Sequence, residues 1–170
     1  MKKIIIAFVA VFVMGGSALA QWNLGARINN SWGFGAEFSA QKIFSESNRL
    51  ELDLGVTGSS TYHAHSLYSG ATAAYHWTFP IVKGLQWFVG PGVHMGIYSY
   101  YDDDYPDYGY SRFRLAAVAQ GGIEYNFDFP LQLALDVRPG IDLLGFGDEV
   151  HHGHISPWIY SYAFSIRYRF

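Results

Sequence analysis

The chain ends on Trp158-Ile159-Tyr160-Ser161-Tyr162-Ala163-Phe164-Ser165-Ile166-Arg167-Tyr168-Arg169-Phe170. Successive side chains of an extended strand point to opposite faces. Trp158, Tyr160, Tyr162, Phe164, Ile166, Tyr168 and Phe170 therefore share one face, and Ile159, Ser161, Ala163, Ser165, Arg167 and Arg169 the other. The first face is wholly apolar and aromatic, whereas the second is mostly small or cationic. A strand with lipid outside and a narrow polar lumen inside requires this division.

The same alternation recurs upstream. Trp22, Leu24, Ala26 and Ile28 alternate with Asn23, Gly25 and Arg27, and Trp32 to Ala40 places Glu37 and Ser39 opposite Phe34, Phe38 and Ala40. Leu50 to Val56 sets Arg49, Glu51 and Asp53 against leucine and valine. Further alternating runs cover Leu67 to Phe79, Leu85 to Ile97, Phe113 to Tyr125 and Leu131 to Leu143. With the last strand these make eight, an even number and the smallest usual size for a transmembrane barrel. Most runs have the roughly 9–11 residues needed to cross a bilayer at a tilt. The expected fold is all-β: a closed antiparallel eight-stranded transmembrane β-barrel with its aromatic faces towards lipid.

The connections support this assignment. Phe44 to Asn48, Pro80 to Gly84, and Asp128 with Pro130 read as short turns. Gly58 to Ser66, Tyr100 to Tyr110, and Gly145 to Ser156 read as longer polar loops. Short periplasmic turns and long outer loops are the usual asymmetry of such barrels, and they place residues 21 and 170 on the periplasmic side. The outer connection around Asn29 to Ser31 is tight by comparison. A secreted β-sandwich is the rival fold, but its water-facing positions are normally rich in Lys, Glu and Thr. Here many are Gly, Ala or Ser, which suit a narrow lumen.

Residues 1–20 read as a secretory signal peptide. Lys2 and Lys3 precede the apolar run Ile4 to Met14, and Ala18-Leu19-Ala20 supplies the small-residue cleavage pattern. Residues 21–170 then form one barrel domain. No later run reaches the roughly 18 apolar residues of a transmembrane helix. There is no cysteine, so the exported chain relies on its sheet. A net charge of −3 supplies no basic field for nucleic acid.

By its signal peptide, eight alternating strands and terminal Ser165-Ile166-Arg167-Tyr168-Arg169-Phe170, the chain resembles the small eight-stranded outer-membrane barrels, the class of OmpX and the OmpA transmembrane domain. The resemblance implies the outer membrane of a Gram-negative bacterium, outer-membrane lipids as neighbours, and a monomer. It also implies that Tyr168 and Phe170 belong to a signal read by the barrel assembly machinery. The peptidoglycan-binding domain that follows the barrel in OmpA-type proteins has no counterpart before Phe170. The class includes adhesins, resistance factors and lipid-modifying enzymes, so fold alone does not give function.

Several groups of residues are candidates for that function. The inward faces carry Arg27, Arg49, Arg112, Arg114, Arg138, Arg167 and Arg169 with Glu37, Glu51, Asp53, Glu124, Asp136 and Asp142. In a narrow lumen such charges must pair, because leaving one buried and unpaired costs several kcal/mol. The arrangement suits a salt-bridged plug better than a pore, since an eight-strand bore has room for little besides side chains. Asp102, Asp103, Asp104 and Asp107 on one loop supply oxygen ligands of the type Ca²⁺ takes, without the spacing of an EF-hand. The same loop's tyrosines suit a recognition surface for an extracellular ligand. His151, His152 and His154, with His63 and His65 on another loop, are candidate Zn²⁺ or Cu²⁺ ligands. His154 and Ser156 superficially resemble the His-x-Ser element of lipid A deacylase barrels, but the Asn-rich continuation of that family is missing. The reading is thus a non-enzymatic binding or structural protein without a cofactor. Alternatives are a lipid-modifying hydrolase and a small pore.

Overall fold

The computed structural model describes residues 21–30, 34–60, 64–102, 104, 109–147 and 158–170. Eight strands follow in chain order: β1 Trp22–Asn30, β2 Phe34–Ser45, β3 Asn48–Ser60, β4 Ala64–Val82, β5 Leu85–Asp102, β6 Tyr110–Asn126, β7 Leu131–Gly147 and β8 Trp158–Arg169. Each pairs antiparallel with its sequence neighbours, and β8 returns to β1 to close the barrel. The seam runs from Asn23 opposite Arg169 to Asn30 opposite Tyr162. Beyond it the Phe170 amide donates to the Trp22 carbonyl at 3.1 Å, so the terminal residue is also tied to β1.

The alternation sorts residues as the sequence indicates. Phe34, Phe38, Leu52, Leu54, Val56, Leu67, Met95, Ile123, Leu135, Phe164 and Ile166 are exposed on the outside, while Arg27, Glu51, Asp53, Gln120, Glu124 and Arg167 are buried inside. An apolar exterior around a polar interior is the reverse of a soluble protein, and closure leaves no unpaired sheet edge for hydrocarbon to meet. Among the described residues no strand has both faces apolar, so the core is the bore itself. Small residues such as Ala74, Ala116, Ala134 and Ala163 complete its wall. Phe88 departs from the aromatic-outward rule. It is 1 % exposed, facing inward.

At the end of the barrel that holds Trp22 and Arg169 the turns are short. Lys83 and Gly84 connect β4 to β5, and Gly84 has φ +79°, in the left-handed region that favours glycine. The expected Pro80-to-Gly84 turn is therefore shorter than the composition suggested, since Pro80, Ile81 and Val82 remain in β4, with an irregular register between Pro80 and Val82. The second strand begins at Phe34, and Trp32 lies outside the described residues.

The larger departure is at the other end. β4 to β7 are 17 to 19 residues long, well beyond the length needed to cross. Much of the expected Gly58–Ser66 loop is strand, with Ser59 opposite Ser66 and Ser60 opposite His65. Likewise Tyr100 pairs with Tyr110, and Ala64 with Asp102. At a rise of about 3.3 Å per residue and a tilt near 45°, an 18-residue strand climbs about 40 Å, against an apolar band of about 25 Å. The sheet therefore continues above the membrane, where polar residues on both faces meet water and backbone pairing still holds the strands. A bulge beside Leu115 turns both Leu143 and Leu144 outward in β7.

Candidate functional site: an ion-paired lumen below a tyrosine rim

The inward positions of all eight strands converge on a bore narrow enough for side chains from opposite walls to touch. Arg27 of β1 is 0 % exposed. Its Nη1 lies 2.5 Å from Glu37 Oε2 on β2, and its Nη2 lies 2.7 Å from Asp136 Oδ1 on β7. Arg138, also on β7, pairs with Asp53 and donates from Nη1 to Thr72 Oγ1 at 3.0 Å. Its Nε and Nη2 share the Gln120 carbonyl oxygen at 3.1 and 3.0 Å. Two arginines and three carboxylates thus cross the middle of the bore, bridging β1, β2, β3 and β7.

One level nearer the short-turn end, Glu51 of β3 gathers donors. Gln41 Nε2 reaches it at 2.6 Å, Gln120 Nε2 at 2.9 Å and Arg167 Nη2 at 3.1 Å. Arg167 also donates to Ser39 Oγ at 2.9 Å and to Gln132 Oε1 at 3.3 Å. Below this, Arg49 meets Glu124 at 2.5 Å and lies over the Phe88 ring, 4.6 Å from its centroid. His76, which accepts from Arg49 Nε at 3.4 Å, also packs against Phe88 at 4.8 Å between ring centroids. The inward aromatic thus packs against a guanidinium and an imidazole, and the cation–π contact with Arg49 accounts for its place among polar groups. Gln86 and Gln132 complete the shell around Glu124.

Nearer the outer mouth, Arg114 pairs with Asp142 on the neighbouring strand. Thr72 Oγ1 contacts His94 Nδ1 at 2.7 Å, and His94 Nε2 contacts the Tyr68 hydroxyl. This Thr72–His94–Tyr68 series joins Arg138 in the plug to the vestibule above it. The vestibule wall is tyrosine: Tyr110 stacks on Tyr100 at 5.4 Å and tilts against Tyr98 at 6.0 Å. Ser99 and Ser111 hydrogen-bond beside them at 3.0 Å. Tyr101, on the outer face of β5, is exposed.

Two cationic residues assigned to the lumen from sequence lie apart from the central network. Arg112 is half-buried at the outer end of β6, opposite Tyr98. Arg169 sits at the short-turn rim, where its Nη2 donates to the Phe127 and Phe129 carbonyls at 2.5 and 3.3 Å and fastens the β6–β7 turn. Tyr168 is exposed on the lipid side and packs edge-on against Phe170, with centroids 4.8 Å apart.

His151, His152, His154, Ser156 and His63 lie outside the described residues, as do Asp103 and Asp107. His65 hydrogen-bonds Ser60 Oγ at 2.8 Å on the outer extension of β3 and β4. Among the described residues, no three His, Asp or Glu side chains gather as a metal site. Gln41, Gln120, Gln132, Thr72 and Tyr68 were not singled out from sequence as part of the lumen constellation. Their inward parity was the available signal, because any polar residue on that face is enclosed once the barrel closes.

No protein-family model matches the sequence, and no curated protein matches it. Solved structures do match. The N-terminal β-barrel domain of Pseudomonas aeruginosa OprF superposes with a TM-score of 0.61 at 15 % identity, covering 88 % of this chain and 96 % of that one. A major outer membrane protein from Thermus thermophilus gives a TM-score of 0.64 at 11 % identity, covering 88 % and 98 %. Ail, the attachment invasion locus protein of Yersinia pestis, gives 0.56 at 10 % identity, covering 88 % and 96 %. At these identities the likeness is one of fold: the chain has the closed eight-stranded fold of the small outer-membrane β-barrels.

Proposed function

We propose that the protein resides in the outer membrane of a Gram-negative bacterium and acts from its outer rim, as a binding or attachment protein, with its bore serving as a structural plug. The observation that carries this reading is the crossing of the lumen by Arg27, Arg49, Arg138 and Arg167, each paired to carboxylates on other strands. Such a bore is occupied by side chains at successive levels, which leaves the surface as the place for function. Above the plug, Tyr98, Tyr100 and Tyr110 form a stacked cluster, and tyrosine gives rigid, amphipathic contact area at low entropic cost. Ail shares the fold and is an attachment protein by name, which supports the same use of this scaffold. On this reading residues 1–20 direct export, Tyr168 and Phe170 are read during assembly, the barrel is a monomer among outer-membrane lipids, and the partner is an external ligand or surface.

The test is attachment of cells displaying the chain to cultured epithelial monolayers. Cells with the protein should bind severalfold better than cells without it. A Tyr98→Ser/Tyr110→Ser variant should lose that gain while remaining folded in the membrane. Equal attachment with and without the protein would overturn the reading.

A further inference from the structure

The outer wall is not uniform. Between two rows of outward side chains on β1, β8, β7 and β6 lies a groove of about 510 Å³. Strand register defines its banks. Ile28 faces Phe164, Phe164 faces Leu135, and Leu135 faces Ile123. On the other bank Asn30 faces Tyr162, Tyr162 faces Val137, and Val137 faces Gly121. The groove therefore follows the hydrogen-bonding direction of the sheet and slants across the membrane. Phe34, paired with Asn30, adds a fifth strand to its wall. Four strand spacings of about 4.8 Å make it about 19 Å long.

Gly121 makes the hollow. A Cβ there would stand 3.4 Å from the Phe88 carbonyl oxygen and 3.6 Å from Val89, ordinary contact distances. At Gly122, one residue on, a Cβ would come within 2.2 Å of the Leu135 carbonyl oxygen. Close packing thus demands glycine at 122 and not at 121. The missing side chain at 121 leaves apolar space where the wall could have been filled.

The two ends of the groove differ. Asn30 closes β1 at its outer end, and Tyr162 lies beside it, 62 % exposed. A carboxamide and a phenol therefore stand at the outer boundary. Gly121 and Ile123 lie nearer the periplasmic end of β6, in the interior of the apolar band. An acyl chain crosses half of a hydrocarbon core about 30 Å thick, so a slanting groove of this length accommodates one chain from interface to mid-membrane.

We propose that this groove is a binding site for one acyl chain of an outer-leaflet lipid, with the carboxyl end beside Asn30 and Tyr162 and the methyl end over Gly121. The leaflet rests on the orientation given under the proposed function; the groove itself does not.

The test uses the protein reconstituted in phosphatidylcholine vesicles containing phosphatidylcholine with a photoreactive diazirine near either the methyl or the carboxyl end of one chain. The methyl-end probe should label peptides carrying Ile123 and Leu135 severalfold above other lipid-facing segments, and the carboxyl-end probe those carrying Asn30 and Tyr162. Gly121→Leu should abolish the enrichment, and Ala73→Leu on β4, away from the groove, should leave it unchanged. Even labelling around the barrel would refute the site, as would enrichment that survives Gly121→Leu. Exclusion of both probes from the groove would mean that protein covers it. The reverse pattern of the two probes would contradict the outer-leaflet assignment. The wild-type pattern decides the question even if a variant fails to insert.

Discussion

Arg27 touches Glu37 and Asp136 at once and is wholly enclosed. Removing one member of a buried ion pair is costly chiefly because its partner is left charged and undersolvated. Arg27→Met strands two carboxylates, and Arg138, 3.6 Å from Glu37, relieves only one of them. The expected loss is about 3–5 kcal/mol in urea unfolding of the vesicle-inserted protein. A change near zero would mean that water already solvates both acids. Lys83 and Asp128 are the opposite case. They meet at 3.2 Å, but both side chains are almost fully exposed. Exposed pairs contribute little, so Lys83→Ala should leave the same unfolding curve unchanged.

The seam between β1 and β8 is where the strands become a barrel. A Cβ at Gly25 would lie 1.9 Å from the Ile166 carbonyl oxygen, a backbone atom of the partner strand. Gly25→Ala should therefore block closure and abolish the heat-dependent shift in gel mobility that a folded barrel shows in detergent, whereas Gly121→Ala should preserve it. Phe170 lies on the same seam, and Phe170→Ser tests whether the last strand acts as an assembly signal. On that proposal, membrane-assembled protein in cells falls far more than the stability of barrels refolded in vitro. Equal assembly in cells with a clear loss of stability in vitro would leave Phe170 as an interface anchor only. The elements were largely legible from sequence, because a period of two is a local property and eight copies of it are hard to mistake. The loop-side ends of β3 to β6 were not. Once a strand leaves the lipid both faces turn polar, and Ser59, Ser60, Ser66 and Tyr100 look like loop while their backbones still pair. Phe88 is aromatic, but its parity and its contacts with Arg49 and His76 place it inside.

At the scale of the molecule, closure brings together groups that no local pattern relates. Arg27 and Asp136 are 109 residues apart, and Arg167 and Ser39 are 128 apart. Parity assigns each of these residues to the inner wall. Which carboxylate each arginine meets depends on strand tilt and stagger around the whole barrel, and so was not readable beforehand. The same closure makes the exterior a continuous apolar surface and the interior a set of linked ion pairs, and it leaves the tyrosine rim and the polar strand extensions as the parts that face outward. The central claim, a transmembrane barrel closed by its own side chains, is tested most directly by single-channel recording in planar bilayers. Inserted protein, verified by its heat-dependent gel shift, should give no stable conductance steps in molar salt. Reproducible discrete openings from the wild-type chain would contradict the plug and restore the pore.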